Sequence, residues 1–199
     1  MKWMQRNRKV AWILALAALV VFGWFASSWL RYPSDRTAVG AYYRVMSAVN
    51  RGDVEALFPY IETDAQHAAF TIHDYVVKSY DRVNEAYPEP ERSQQLQRLK
   101  PIQELQPGPG VFAWYARQQG WVDRLRRDLS GVASVEEQAD RATVQTVRGT
   151  RYPFRRRDNG MWGLTLFTAR LVADAEKAAR DFSVIDAAAS DYELIRDAP

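Results

Sequence analysis

The chain has no cysteine. Disulfide frameworks, thiolate-bound metals and cysteine nucleophiles are therefore excluded. An oxidising compartment is not excluded, because disulfides are permitted there rather than required. Histidine is nearly as scarce: His67 and His73 are the only two. Their spacing of six does not put both on one helix face, as a four-residue spacing would. The ten glycines never gather into a phosphate-cradling loop, and neither a nucleophile elbow nor a zinc-binding spacing is present. No cofactor or metal is implied, and no catalytic residue is assigned. The first thirty residues also lack Asp and Glu altogether.

That acid-free start contains the longest hydrophobic run. It begins at Val10 and ends at Leu30, VAWILALAALVVFGWFASSWL, twenty-one residues without a charge. As a helix rising about 1.5 Å per residue it spans roughly 32 Å, matching a hydrocarbon core of about 30 Å. Ten of its residues are Ile, Leu, Val or Phe, each favouring insertion by roughly 0.3–0.6 kcal/mol at the helix centre. Trp24 and Trp29 stand near one end, where amphipathic rings prefer the headgroup region. Lys2, Arg6, Arg8 and Lys9 precede the run, whereas Arg31, Asp35 and Arg36 follow it. The positive-inside rule then places residues 1–9 in the cytoplasm, residues 10–30 across the bilayer, residues 31–36 as a linker, and residues 37–199 outside the cytoplasm, in the periplasm of a cell with two membranes. A cleaved signal peptide is the alternative, with Ala26-Ser27-Ser28 as its small-residue site. Both readings export the domain.

The net charge of +3 conceals a division. Four of the 27 basic residues precede the run, so the remainder carries 23 basic against 24 acidic residues, a net of −1. A domain so close to neutral gives no reason to expect nucleic-acid binding, despite the high isoelectric point.

The exported part reads as α+β, helix-rich first, with a small antiparallel sheet near the C-terminus and a final amphipathic helix. Val39, Tyr42, Val45, Met46 and Val49 recur at helical spacing, with Ser34 or Asp35 as cap and a stop at Asn50-Arg51-Gly52. Asp53 caps a shorter helix that Pro59 limits. Arg51-Gly52-Asp53 spells an adhesion motif, but helix stop followed by helix cap accounts for it. Residues 66–86 are helical, with Phe70, His73, Val76, Val77, Tyr80 and Val83 on one side. Pro88-Glu89-Pro90-Glu91 breaks the pattern. Residues 92–105 form a polar helix edged by Leu96, Leu99 and Ile102. After the turn at Gln106-Pro107-Gly108-Pro109-Gly110, one helix carries Val111, Phe112, Tyr115, Val122, Leu125 and Leu129, weakened by Gly120. Residues 132–137 and 141–157 are strands, with a bulge at Gly149 and a bend or edge at Pro153. Asp158-Asn159-Gly160 turns the chain into residues 161–166. The final helix covers residues 168–187.

Two of these stretches carry a family likeness. Asn50-Arg51-Gly52-Asp53-Val54-Glu55-Ala56-Leu57 resembles the helix–Gly-Asp–helix opening of the NTF2-like (cystatin-like) superfamily. Phe154-Arg155-Arg156-Arg157-Asp158-Asn159-Gly160-Met161-Trp162-Gly163-Leu164 resembles its Gly-x-Trp strand return. The resemblance implies helices packed on a curved sheet around a conical pocket, used by some members for catalysis or small-molecule binding and by many for assembly in secretion systems and envelopes. The helical stretch of residues 66–129 and the long closing helix depart from that plan.

Candidate site residues follow from the aromatic and arginine content. Tyr42, Tyr43, Trp114, Tyr115, Trp121, Tyr152, Phe154 and Trp162 give the domain a heavy aromatic load, from which Tyr42, Trp114, Tyr115 and Trp162 are the pocket candidates. Arg124, Arg126 and Arg127 form one basic cluster and Arg155, Arg156 and Arg157 another. Arg155 and Arg157 share a strand face, which makes Arg124, Arg127, Arg155 and Arg157 the candidates for anionic headgroups or a phosphate-bearing ligand. Carboxylate pairs such as Glu62 with Asp64 and Asp174 with Glu176 sit in polar runs and read as solvated. The function expected is a non-catalytic binding or assembly module of the cell envelope, with the bilayer and a protein partner or second copy as its partners. The alternative is an NTF2-like small-molecule binder or enzyme with an aromatic-lined pocket.

Overall fold

The computed structural model describes residues 33–198. The run from Val10 to Leu30 lies outside the described residues. Among those described, no helix is long and apolar enough to cross a membrane. From Asp35 onward the chain forms its own unit, an α+β arrangement of helices, a four-stranded antiparallel sheet and a closing helix.

Helix α1 (Ala38–Arg51) starts where Thr37, not Ser34 or Asp35, accepts the Gly40 N–H at 3.1 Å. Thr37 is the residue next to the first helical turn, so only its hydroxyl has the reach a cap requires. The helix stops at Gly52 as expected, and Asp53 Oδ1 accepts from Ala56 N at 3.1 Å. The short element it caps is a 3-10 helix (Glu55–Tyr60) with Pro59 inside.

Helix α2 (Thr63–Ala86) buries Ala65, Ala68, Ala69, Ile72, Val76, Ser79 and Val83. This face includes Val76 and Val83 of the expected stripe but not Phe70, which is 46% exposed and lies against Gly108 and the Phe58 ring. The reason is its partner, the long helix α6 (Thr168–Arg196), which runs beside α2 in the same direction. Tyr75 meets Phe182, Arg82 meets Asp186 and Glu193, and Tyr87 meets Tyr192. Two helices lying so closely together select small side chains at their seam. Helix α6 extends nine residues past the expected end at Ala187, because Ala189 is fully buried and Arg82 ties Glu193 with two hydrogen bonds of 2.5 and 2.8 Å.

Helix α3 (Glu91–Gln103) packs on α2 without a fully buried residue of its own. Next come α4 (Pro109–Gln118) and α5 (Trp121–Asp128), where a single helix was expected. Gly120 adopts φ +61°, a left-handed conformation that glycine enters at little cost. The break turns Trp121 inward, 8% exposed, onto Phe112 and Tyr115.

Strands β1 (Val132–Gln138), β2 (Arg141–Thr146), β3 (Arg151–Arg156) and β4 (Trp162–Leu164) follow in spatial order, each antiparallel to the next. The bulge falls at Val132/Ser134 rather than at Gly149, which sits in the β2–β3 turn. Pro153 lies inside the sheet opposite Thr143. Its carbonyl accepts from Thr165 N at 3.0 Å, so its backbone polar edge faces away from β2 and the missing N–H removes no β2–β3 bond. Ala142, Val144, Thr146, Tyr152, Phe154 and Leu164 face inward. All but Thr146 join Tyr42, Val45 and Val49 of α1 and Phe112 of α4 in one hydrophobic core.

Candidate functional site

The four aromatic candidates do not converge on one cavity. Tyr42 is fully buried, with its ring 5.9 Å from Tyr43 and 5.4 Å from Tyr152. Its hydroxyl donates to Ser130 O at 2.6 Å and accepts from Ser130 N at 3.1 Å. Trp162, 1% exposed, donates its indole N–H to Arg36 O at 3.1 Å. Both are therefore interior packing residues whose polar ends are paired with backbone, the arrangement expected of buried Tyr and Trp. Trp114 is half-buried at the margin of the core, against Tyr115 at 5.1 Å. Tyr115 lines a cleft of about 220 Å³ between α2, α3 and α6, with Ser79, Arg98, Leu99 and Asp174. Burial first, then the Asp174 carboxylate, pushes its phenol up to about 12.

The two arginine clusters lie in different places with different work. Arg155 Nη1 donates to Glu62 Oε1 at 3.0 Å, and its Nε lies 3.4 Å from Asp140. Arg157 donates to Pro59 O at 2.7 Å, to Gln66 Oε1 at 2.8 Å and to Thr63 Oγ1 at 3.3 Å. These two guanidiniums join the third strand and its turn to the start of α2. Glu62, read from sequence as solvated, is 5% exposed. Thr168 Oγ1 donates to its second oxygen at 2.5 Å, so both carboxylate oxygens are held. It faces an open groove of about 740 Å³ that Arg141, Thr143 and Glu176 also line. A carboxylate so fully engaged fastens β3, α2 and α6 together rather than waiting for a proton. No signal in the sequence separates Glu62 from its exposed neighbour Asp64, because its partners lie 93 and 106 residues away.

The α5 cluster stands elsewhere. Arg124 donates to Gln119 O at 2.9 Å, Arg126 to Val49 O at 3.3 Å, and the Arg127 carbonyl accepts from Arg148. Arg124 lines a second cleft, of about 420 Å³, with Trp121, Leu125, Asp128, Thr150, Arg151, Tyr152, Leu166 and Phe167. Trp121 and Phe167 are stacked there, with centroids 4.8 Å apart and planes at 25°. Tyr152 is 2% exposed, and its buried hydroxyl has no hydrogen-bond partner. Burial, then Tyr42 and Asp128, raises its phenol to about 12, so the hydroxyl is a neutral donor at ordinary pH. Of the sequence candidates only Arg124 reaches this cleft. Its other walls carried two signals: Trp121 directly after a glycine, and Phe167 directly before a helix.

No family model, curated protein or solved structure matches this chain.

His73 Nε2 lies 2.9 Å from Leu105 O and tethers the α3–α4 connection to α2. His67 is exposed beside Asp64 and Glu176 on the flank of α2 and α6. Among the described residues no group of three or more His, Cys, Asp or Glu is placed to hold a metal ion.

Proposed function

We propose that this chain is a single-pass membrane protein whose domain stands outside the cytoplasm as a non-catalytic binding or assembly module. The observation that carries the reading is the use made of the polar groups a catalyst would need. Glu62 is held on both oxygens by Arg155 and Thr168, Tyr42 is bonded twice to Ser130, and His73 meets a carbonyl. Groups this well satisfied are poor acids, bases or nucleophiles and good fasteners. The Trp162 indole also donates to Arg36 O. It pins the first residues of the domain to the last strand. An NTF2-like plan is compatible with α1 packed across the sheet and the Gly-x-Trp return into β4.

Topology and partnership are tested separately. Protease added to spheroplasts should digest the domain; a protected domain overturns the orientation. Leu16→Arg should release the protein from the membrane, since a central Arg costs roughly 3 kcal/mol of insertion. Affinity capture from a detergent extract, followed by mass spectrometry, should return a reproducible envelope partner or a second copy of the chain. A second reading, small-molecule binding, is favoured by one observation, the cleft of about 420 Å³ lined by Trp121, Tyr152 and Phe167.

A further inference from the structure

We propose that α3 is a hinged strap: it lifts off α2 as one unit while the rest of the fold stays intact, and so uncovers the apolar face of α2 at Ile72 and Val76. The inference goes beyond the reading of the domain as a binding module and depends on neither a bilayer nor a partner.

The first ground is what holds α3 down. None of its thirteen residues is buried, and Leu99 and Ile102, by which it reaches the core, are only half-buried. Among the described residues α3 makes no hydrogen bond or ion pair with another element. Its polar contacts run along its own chain, from Arg92 and Ser93 to Glu89 and from Lys100 to Glu104. One polar fastening stands beside it, at the α3–α4 connection, where His73 Nε2 donates to Leu105 O at 2.9 Å. The α6 side of α2 is held quite differently, by Tyr75 against Phe182 and by Arg82 on Asp186, Ser190 and Glu193. Sub-global opening takes the element with the fewest buried contacts first.

The second ground is the seam itself. Gln95 shares a helix face with Leu99 and Ile102, at spacings of four and seven, and its Oε1 is buried without a partner. An interred acceptor of this kind penalises the closed form, and lifting α3 hydrates it. A cleft of about 220 Å³ already runs between α3 and α6, with Ile72 and Val76 among its walls and the exposed Arg98 and Lys177 on its margin. Solvent therefore reaches the edge of the seam before anything moves.

The third ground is the pair of hinges. Tyr87 is extended, with φ −77° and ψ 139°, and its hydroxyl donates to Ile185 O at 3.3 Å. Gly108 takes φ +76° and lies against the Phe70 ring. Both corners are non-helical and both are anchored, so the motion is a swing between two fixed points rather than the loss of an end. Once lifted, a helix of this length is marginal in water. Its amides then exchange while those of α2 and α6 stay protected.

The test is hydrogen exchange of the solubilised full-length chain, read by mass spectrometry in increasing urea below the unfolding transition. Peptides from residues 91–103 should exchange at least about a hundredfold faster than those from residues 65–83 and 171–185, at a rate that rises with urea, because a cooperative opening exposes surface whereas fraying does not. The cysteine-free chain allows a second readout by a single introduced thiol. Ile72→Cys should react with a maleimide at least about a hundredfold faster than Val45→Cys, which is equally buried but in the core under α1. His73→Ala should speed α3 exchange about fivefold, the worth of one hydrogen bond, with residues 171–185 unchanged, and Gln95→Leu should slow it. Exchange of α3 at the rate of α2 overturns the proposal. So does fast exchange that ignores urea, equal labelling of the two thiols, or His73→Ala that leaves α3 exchange where it was. Exchange in the unsubstituted chain decides the matter alone if a cysteine variant unfolds.

Discussion

At Gly163 a single added methyl group should do measurable harm, because it meets backbone. An added Cβ would lie 2.7 Å from Ile61 O and 2.8 Å from both Cα and N of Glu62. All three are backbone atoms, so no side chain can rotate away. Ordinary contact for a Cβ begins near 3.4 Å, and the deficit has to come from moving residues 61 and 62 away from β4. That movement acts on the parallel bridge between Ile61 and Leu164 and on the 3.1 Å bond from Glu62 N to Leu164 O. It also displaces the carboxylate that joins Arg155 to Thr168. Overpacking of this kind costs about 1–3 kcal/mol, and a weakened backbone bond adds about 1. Gly163→Ala should therefore destabilise the domain by about 2–4 kcal/mol. At roughly 2–4 °C per kcal/mol for a domain of this size, the midpoint should fall by roughly 5–15 °C.

The measurement is urea and thermal unfolding of the full chain, followed by circular dichroism and tryptophan fluorescence, with Gly131→Ala as the comparison. A Cβ at Gly131 meets Val147 Cγ2 at 3.7 Å and nothing closer, so that variant should stay within about 0.5 kcal/mol of the parent. If the two alanine variants unfold at the same denaturant concentration with the same slope, the close approach of β4 to the start of α2 is not what holds this part of the fold.

Three further perturbations follow from the same fastenings. Arg155→Met leaves Glu62, 5% exposed, with Thr168 alone; because Arg155 is itself 41% exposed, the expected loss is about 2–3 kcal/mol, below that of a fully buried pair, and adding Glu62→Gln should restore part of it in a double-mutant cycle. Tyr115 and Tyr152 hold their phenol protons up to about 12 against an ordinary 10.0. The folded state thus retains protons that the unfolded chain releases, so their contribution is complete below pH 10 and is lost as pH rises towards 12; phenolate absorbance should show these two titrating late, and simultaneous titration of all tyrosines in the folded protein would contradict it. Arg82→Met removes the clamp on Asp186, Ser190 and Glu193 and should accelerate amide exchange over residues 187–196 while leaving residues 171–182 unchanged. Arg82 holds the Glu193 carboxyl below its usual range, so in the parent the clamp is fully present above the ordinary carboxylate pKa and should loosen as pH falls below it.

What could be read in the sequence was whatever a short stretch decides for itself. The stop at Asn50-Arg51-Gly52, the Asp53 cap and the Asp158-Asn159-Gly160 turn depend on neighbours within four residues, and each stands where the pattern put it. Choices made by distant partners were not readable. On α2 the expected stripe and the alanine face both satisfy helical spacing; Val76 and Val83 of the stripe are buried, and the packing of α6 adds Ala65, Ala68 and Ala69 in place of Phe70. Gly120 was legible as a weak point, but whether a helix bends or breaks there depends on the core drawing Trp121 inward. The length of α6 beyond Ala187 is set by Arg82, more than a hundred residues earlier. The arginine runs looked alike as runs; Arg155 and Arg157 of one proved to be internal fastening, whereas of the other only Arg124 lines a cleft.

The division between those two runs also bears on what the domain does. Arg155 and Arg157 are surrounded by acceptors from a different part of the chain, and burial depresses the Arg157 guanidinium below its usual value. They are committed within the protein and have little to offer a partner. Arg124 and Arg151 each give one nitrogen to a neighbour and are otherwise exposed. Among the described residues two buried polar side-chain atoms lack partners, Gln95 Oε1 and the Tyr152 hydroxyl. A carboxamide can exchange its oxygen and nitrogen by a half-turn and so find a partner, whereas a phenol hydroxyl can only swing about its own ring.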